Sequence, residues 1–108
     1  MKCSKLLFLL SFLGSLTLVN GQKASITGVV MGINDEPLSN VNITTEGHGT
    51  YTDSTGFYLL EVIADKEITI IFTHLGHKNV ILENLILSTN ETFEFNPVMK
   101  TDVIQVDG

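Results

Sequence analysis

Arginine is absent from all 108 positions, and the single cysteine, Cys3, stands near the start of the chain. Nor does any sustained helical spacing follow the first twenty residues, and there is no long apolar run in that later stretch. Each gap removes a class of protein. Phosphate backbones are held mainly by Lys and Arg, so an arginine-free chain of net charge −6 is a poor nucleic-acid ligand. Cys3 precedes an apolar stretch rather than ending it, unlike a lipid-attachment cysteine. With no other cysteine, the remainder has neither a thiol nor a disulfide. A small domain without such staples relies on its hydrophobic core alone.

What is present begins with an export pattern. Lys2 and Lys5 precede the apolar run from Leu6 to Val19, and Val19-Asn20-Gly21 follows with modest side chains. Basic start, short apolar core and small-residue cut describe a secretory signal peptide, helical, over residues 1–21, cleaved before Gln22. A membrane span needs about 20 apolar residues, and this run is shorter with no basic stop behind it. Removing it leaves Lys23, Lys66, Lys78 and Lys100 against all twelve acids, a net charge of 4 − 12 = −8.

From residue 22 the apolar positions alternate. Ile26, Gly28 and Val30 share one parity, as do Val41 and Ile43, then Tyr58, Leu60 and Val62, then Ile68, Ile70 and Phe72. Later pairs are Val80/Leu82, Leu85/Leu87 and Phe93/Phe95. Period two in segments rich in Ile, Val, Thr and Phe predicts half-buried strands. Turn residues separate them: Asn34-Asp35-Glu36-Pro37, Gly47-His48-Gly49, Asp53-Ser54-Thr55-Gly56, Ala64-Asp65-Lys66, Leu75-Gly76-His77 and Ser88-Thr89-Asn90. In the fourth-from-last of these, Asp53 is expected to accept backbone N–H bonds. The pattern predicts an all-β, seven-stranded sandwich over 22–98, with Ile26, Val30, Val41, Ile43, Tyr58, Leu60, Ile70 and Phe72 as its core. Residues 99–108 show no strand partner and are expected to form a loose tail or linker.

Three segments carry a resemblance. Ile26-Thr27-Gly28-Val29-Val30 with Glu36-Pro37-Leu38-Ser39-Asn40-Val41-Asn42-Ile43 resembles an I-x-G-x-V strand and a G-x-P-L-x-G-V-x-V turn and strand. Gly49 to Leu60, read GTYTDSTGFYLL, is similar to G-T-x-T-D-x-x-G-x-[FY]-x-L, and Phe72-Thr73-His74-Leu75-Gly76-His77 stands where F-x-Y-x-G-Y would. These are the motifs of the carboxypeptidase-regulatory-like domain, a transthyretin-like (prealbumin-like) Greek-key sandwich. Asp35 and Asn40 replace glycines of the pattern, and both residue types reach positive φ more readily than most. His74 and His77 replace tyrosines. Pro37, Asn40, Asp53, Gly56 and Gly76 are thus expected to be turn and structural residues.

The resemblance implies a periplasmic N-terminal domain of a TonB-dependent outer-membrane receptor (SusC/RagA-like) from a Bacteroidetes-type bacterium, taking up a glycan or other nutrient. Plug and barrel would then be further parts of the same receptor. Asp102, Val103, Ile104, Gln105 and Val106 resemble a TonB box, an acidic then β-branched stretch that joins the energy-coupling protein as an added strand. The competing expectation is a stand-alone exported sandwich, secreted, that binds carbohydrate or protein.

Chemistry has few candidates. His74-Leu75-Gly76-His77 has H-x-x-H spacing, but structural zinc takes four ligands and catalytic zinc three, and no third His or Cys lies nearby in sequence. The pair therefore reads as ordinary corner residues, with no metal or cofactor expected, and His48 as an exposed turn residue. The zinc of metallocarboxypeptidases sits on a separate domain, and hydroxyisourate hydrolases of related fold need an arginine and a Tyr-Arg-Gly-Ser end that this chain lacks. No base or nucleophile pairs with Asp53 at a catalytic spacing. The expectation is a non-enzyme. Asn42-Ile43-Thr44 and Asn90-Glu91-Thr92 are sequons of consequence only in a eukaryotic secretory route; Asp53-Ser54-Thr55 resembles a bacterial O-glycosylation motif.

Overall fold

A computed structural model describes residues 22–102; the expected signal peptide and residues 103–108 lie outside the described residues. The described chain is all β. In order the strands are β1 (Lys23–Val29), β2 (Met31–Gly32), β3 (Asn42–Thr45), β4 (His48–Tyr51), β5 (Phe57–Ile63), β6 (Ile68–Thr73), β7 (Val80–Leu85), β8 (Thr92–Glu94) and β9 (Val98–Met99). One sheet has the order β5-β1-β8, extended by the β2-β9 pair, and the other has the order β4-β3-β6-β7. β2 continues β1 after a break at Val30, and β9 continues β8 after a longer break. Counting each interrupted strand once turns nine elements into 9 − 2 = 7; the total equals the expected one, but β4 was not among the alternating segments and Leu85 belongs to β7, not to a strand of its own.

The alternation works as read. Along β1 and β5 every second residue is buried, and the two strands pair antiparallel from Lys23↔Ile63 to Val29↔Phe57. All eight expected core residues are buried, joined by Leu38, Val62, Ile68, Leu87 and Met99 from the loops and ends. Burying one such side chain contributes about 1.5–3 kcal/mol. At the centre, Tyr58 and Phe72 meet edge to face with ring centroids 5.4 Å apart, and Phe95 lies 5.7 Å from Phe72. Such aromatic pairs add to their area burial. The Tyr58 hydroxyl donates to the Phe95 carbonyl at 2.6 Å, and burial holds its phenol pKa above the ordinary value.

Thr52 is the one buried polar residue among those described. Its hydroxyl accepts from the Val41 N–H at 2.9 Å and donates to the Leu38 carbonyl at 2.6 Å, tying the loop before β3 to the chain after β4. Both halves of the group are satisfied, so burial carries no unpaired penalty.

Positive φ falls at Asp35 (62°) and Asn40 (60°), the two residues expected to absorb it, and also at Asp65 (58°) and Asn90 (67°) in later turns. Asn84, at 58°, was not expected. It lies in β7, where the register against β6 slips between Ile68↔Leu85 and Ile70↔Leu82, so an extra residue bulges out.

The end of the domain departs from expectation. Residues after Pro97 have strand partners: β9 pairs parallel with β2, Met99 is fully buried, and Thr101 bridges to His77. The Lys78 N–H donates to the Lys100 carbonyl at 2.8 Å and the Asp102 N–H to the Gly76 carbonyl at 2.9 Å. The physical reason is that the partner strand, Met31–Gly32, lies nearly seventy residues upstream, where no local pattern reports it. His48 likewise opens β4 instead of sitting in a turn; the hairpin loop is Glu46-Gly47, with Thr45 paired to His48.

Candidate functional site

Asp53 opens the turn that feeds β5. Its Oδ1 accepts from the Thr55 hydroxyl at 2.7 Å, the Thr55 N–H at 2.9 Å and the Phe57 N–H at 3.1 Å. These bonds, the Thr55 hydroxyl foremost, hold its carboxyl below the ordinary carboxylate pKa. Three bonds from the turn thus converge on that one oxygen. A depressed pKa means a contribution present above the unfolded-state value, near 4, and lost as pH falls through the lower folded value. Asp53→Asn should therefore lose stability near neutral pH and flatten the acid limb of a pH–stability profile below about pH 4. An unchanged acid limb in urea titrations at several pH values would show that Asp53 does not contribute to it.

The other structural positions behave similarly. Pro37 bridges to Met31 across the first turn, and the Asn40 N–H donates to the Thr52 carbonyl at 3.1 Å. Gly56 has φ 82°, and a Cβ there would also press on the Val30 carbonyl oxygen at 2.6 Å. Gly76, at φ 80°, reverses the chain between His74 and His77 with open space around it.

The TonB-box-like segment is only partly within view. Asp102 is exposed and anchored through its backbone to Gly76, while Val103, Ile104, Gln105 and Val106 lie outside the described residues.

Two surface features were not read from the sequence. One is a groove of about 240 Å³ where the free edges of β4 and β5 approach, lined by Lys23, His48, Thr50, Leu59, Glu61 and Ile63. Leu59 and Ile63 are exposed there, on alternate positions of β5. The other lies at the opposite edge, where Lys78 and Lys100 flank Val80 and Val98. Lys23 pairs with Glu61 at 3.4 Å and Lys66 with Glu46 at 3.1 Å, both in exposed positions where such pairs contribute little. Among the described residues no three His, Cys, Asp or Glu side chains converge as a metal cluster would.

A family profile, that of the CarboxypepD_reg-like domain, matches residues 26–108 of this sandwich. The chain belongs to that family. No curated protein matches it in sequence. Among solved structures, a chain of a type II cohesin–X-dockerin complex from Acetivibrio cellulolyticus is similar at a TM-score of 0.58 and 13% identity, covering 72% of this chain and 58% of that one. Catechol 1,2-dioxygenase from Acinetobacter sp. ADP1 matches at a TM-score of 0.59 and 11% identity, over 82% of this chain and 57% of its own. A minor pilin of Streptococcus agalactiae matches at 0.56 and 11%, over 81% of this chain and 48% of its own. The CarboxypepD_reg-like chain thus spans a little over half the length of the first of these, 58%. Identities this low establish a shared β-sandwich fold and nothing of activity.

Proposed function

We propose that this CarboxypepD_reg-like domain is the non-catalytic, periplasmic N-terminal part of a TonB-dependent outer-membrane receptor for a glycan or other nutrient. The observation that carries the reading is an order of parts. A regulatory-type sandwich closes with the backbone bond from Asp102 to Gly76, and the acidic then β-branched stretch Asp102–Val106 begins at that point. Such a stretch suits strand addition, in which main-chain bonds supply affinity with little demand on side chains. Its partner is the energy-coupling protein of the inner membrane.

Deleting Asp102–Val106 from the intact receptor should abolish energised uptake and leave surface expression unchanged. Ile104→Pro tests the same point without touching the Asp102 anchor, because proline removes an N–H that an added strand needs. Uptake at the parental rate in both variants would overturn the proposal.

A second reading has its own support. The groove between the free edges of β4 and β5, with Leu59 and Ile63 of β5 exposed in it, suits a stand-alone exported binding module. The reading frame downstream of the Gly108 codon separates the two: a plug and barrel encoded there favours the receptor.

A further inference from the structure

His74 directly follows β6 and His77 follows the Gly76 reversal, and the fold brings their rings face to edge with centroids 4.8 Å apart. Their Nδ1 atoms stand 2.9 Å from each other. The Leu75 carbonyl oxygen lies 2.9 Å from the first and 3.2 Å from the second. Three electron-pair donors thus occupy the corners of a triangle with sides near 3 Å. The third is a backbone atom, which is why no spacing of side chains announces it.

The hydrogen-bond partners constrain the tautomers at this corner. His74 Nε2 lies 3.0 Å from the Ser39 carbonyl, which can only accept, so Nε2 carries the hydrogen. A neutral His74 then presents a bare lone pair at Nδ1. In that tautomer only a His77 Nδ1–H could supply the hydrogen between the two nitrogens. Orientation of a ligating imidazole by a carbonyl on its far nitrogen is the usual second layer of a metal site.

We propose that His74 Nδ1, His77 Nδ1 and the Leu75 carbonyl oxygen form a mononuclear site for a divalent transition metal of tetragonal preference, copper(II) or nickel(II). The metal takes the place of the shared proton, and the proton leaving His77 Nδ1 is balanced by one taken up from solvent at its Nε2. The separation decides the class of metal. With metal–nitrogen bonds of about 2.0–2.1 Å, nitrogens 2.9 Å apart subtend about 90°, whereas tetrahedral ligands would stand about 3.3 Å apart. Right angles exclude a tetrahedral site, and among the ions of right-angled geometry copper(II) and nickel(II) are those that imidazole nitrogens suit best. The remaining positions open outward: Leu75 is 95% exposed and nothing lies within 4 Å of where a Gly76 Cβ would be, so water can complete the shell. The corner is also held in place, by the His77 N–H to the His74 carbonyl at 3.1 Å and by the ladder bonds from Lys78 and Asp102. This site does not depend on the receptor reading.

The test uses the full 108-residue chain titrated with copper(II) and nickel(II) salts. One metal per chain is expected, with affinity reduced at least about tenfold by His74→Ala or His77→Ala, since even outer-layer changes have that effect. His48→Ala, on the far edge, should leave binding unchanged. Pulsed electron paramagnetic resonance of the copper(II)-loaded parent should count two coordinated imidazoles, a readout that needs no variant to fold. Fewer than two imidazoles, no binding at millimolar metal, or equal affinity in folded His74→Ala would overturn the site.

Discussion

Phe72→Ala is expected to leave the domain at the edge of unfolding in water. Phe72 is fully buried on β6 and touches both Tyr58, across the sandwich, and Phe95. Truncating a buried phenylalanine costs about 3–5 kcal/mol, the lost transfer energy plus that of the cavity left behind. Whole domains are stable by only about 5–15 kcal/mol, and small ones without disulfides sit at the low end. A cavity here is hard to collapse, because Tyr58 is pinned through its hydroxyl to the Phe95 carbonyl and cannot tilt in without breaking that bond. The urea midpoint of the variant should fall close to zero denaturant, with the near-ultraviolet signal of the tyrosine lost. A loss under about 1 kcal/mol would mean that the aromatic centre does not anchor the two sheets.

Gly28→Ala should also be strongly destabilising, though it adds only a methyl group. A Cβ at position 28 would overlap the Phe95 carbonyl oxygen, with the Asn96 side chain also in the way at 2.8 Å. The obstacle is chiefly backbone, so no rotamer change relieves it. Overpacking of this kind costs about 1–3 kcal/mol or more. The strain falls on the pairing of β1 with β8, where the Ser25 N–H bonds Glu91 and the Phe95 N–H bonds Thr27, each at 2.9 Å. Faster amide hydrogen exchange at Ser25 and Phe95, with a lower urea midpoint, is the expected signature. Parental exchange at both amides would show that β8 can shift without loss.

The glycine at 28 was legible only as part of an I-x-G-x-V pattern; its reason is a strand that passes against it from the other end of the chain. That contrast runs through the molecule. Alternating residues from Ile26 to Phe72 reveal their buried face because each strand reports its own period. Asp35 and Asn40 reveal their turns because positive φ is a local demand met by local chemistry. Even the β7 bulge left a trace, since the apolar parity changes between Val80/Leu82 and Leu85/Leu87, though the change was not read as a bulge. Met99 left none. A two-residue strand is too short to show a period, and its partner is chosen by the closed sandwich. The histidine corner falls between the two cases: the H-x-x-H spacing is visible, but the carbonyls of Leu75 and Ser39 that complete its geometry are backbone atoms positioned by folding.

The first and last strands lie side by side and run the same way. β1 pairs parallel with β8, β2 with β9, and further bonds join Met31 to Pro97 and Val29 to the Asn96 side chain. Tension applied to the two ends of the domain therefore pulls neighbouring strands past each other along their length. The bonds between them take that load together, as shear, instead of opening one at a time like a zip. A module built this way is suited to standing between two bodies that pull on it.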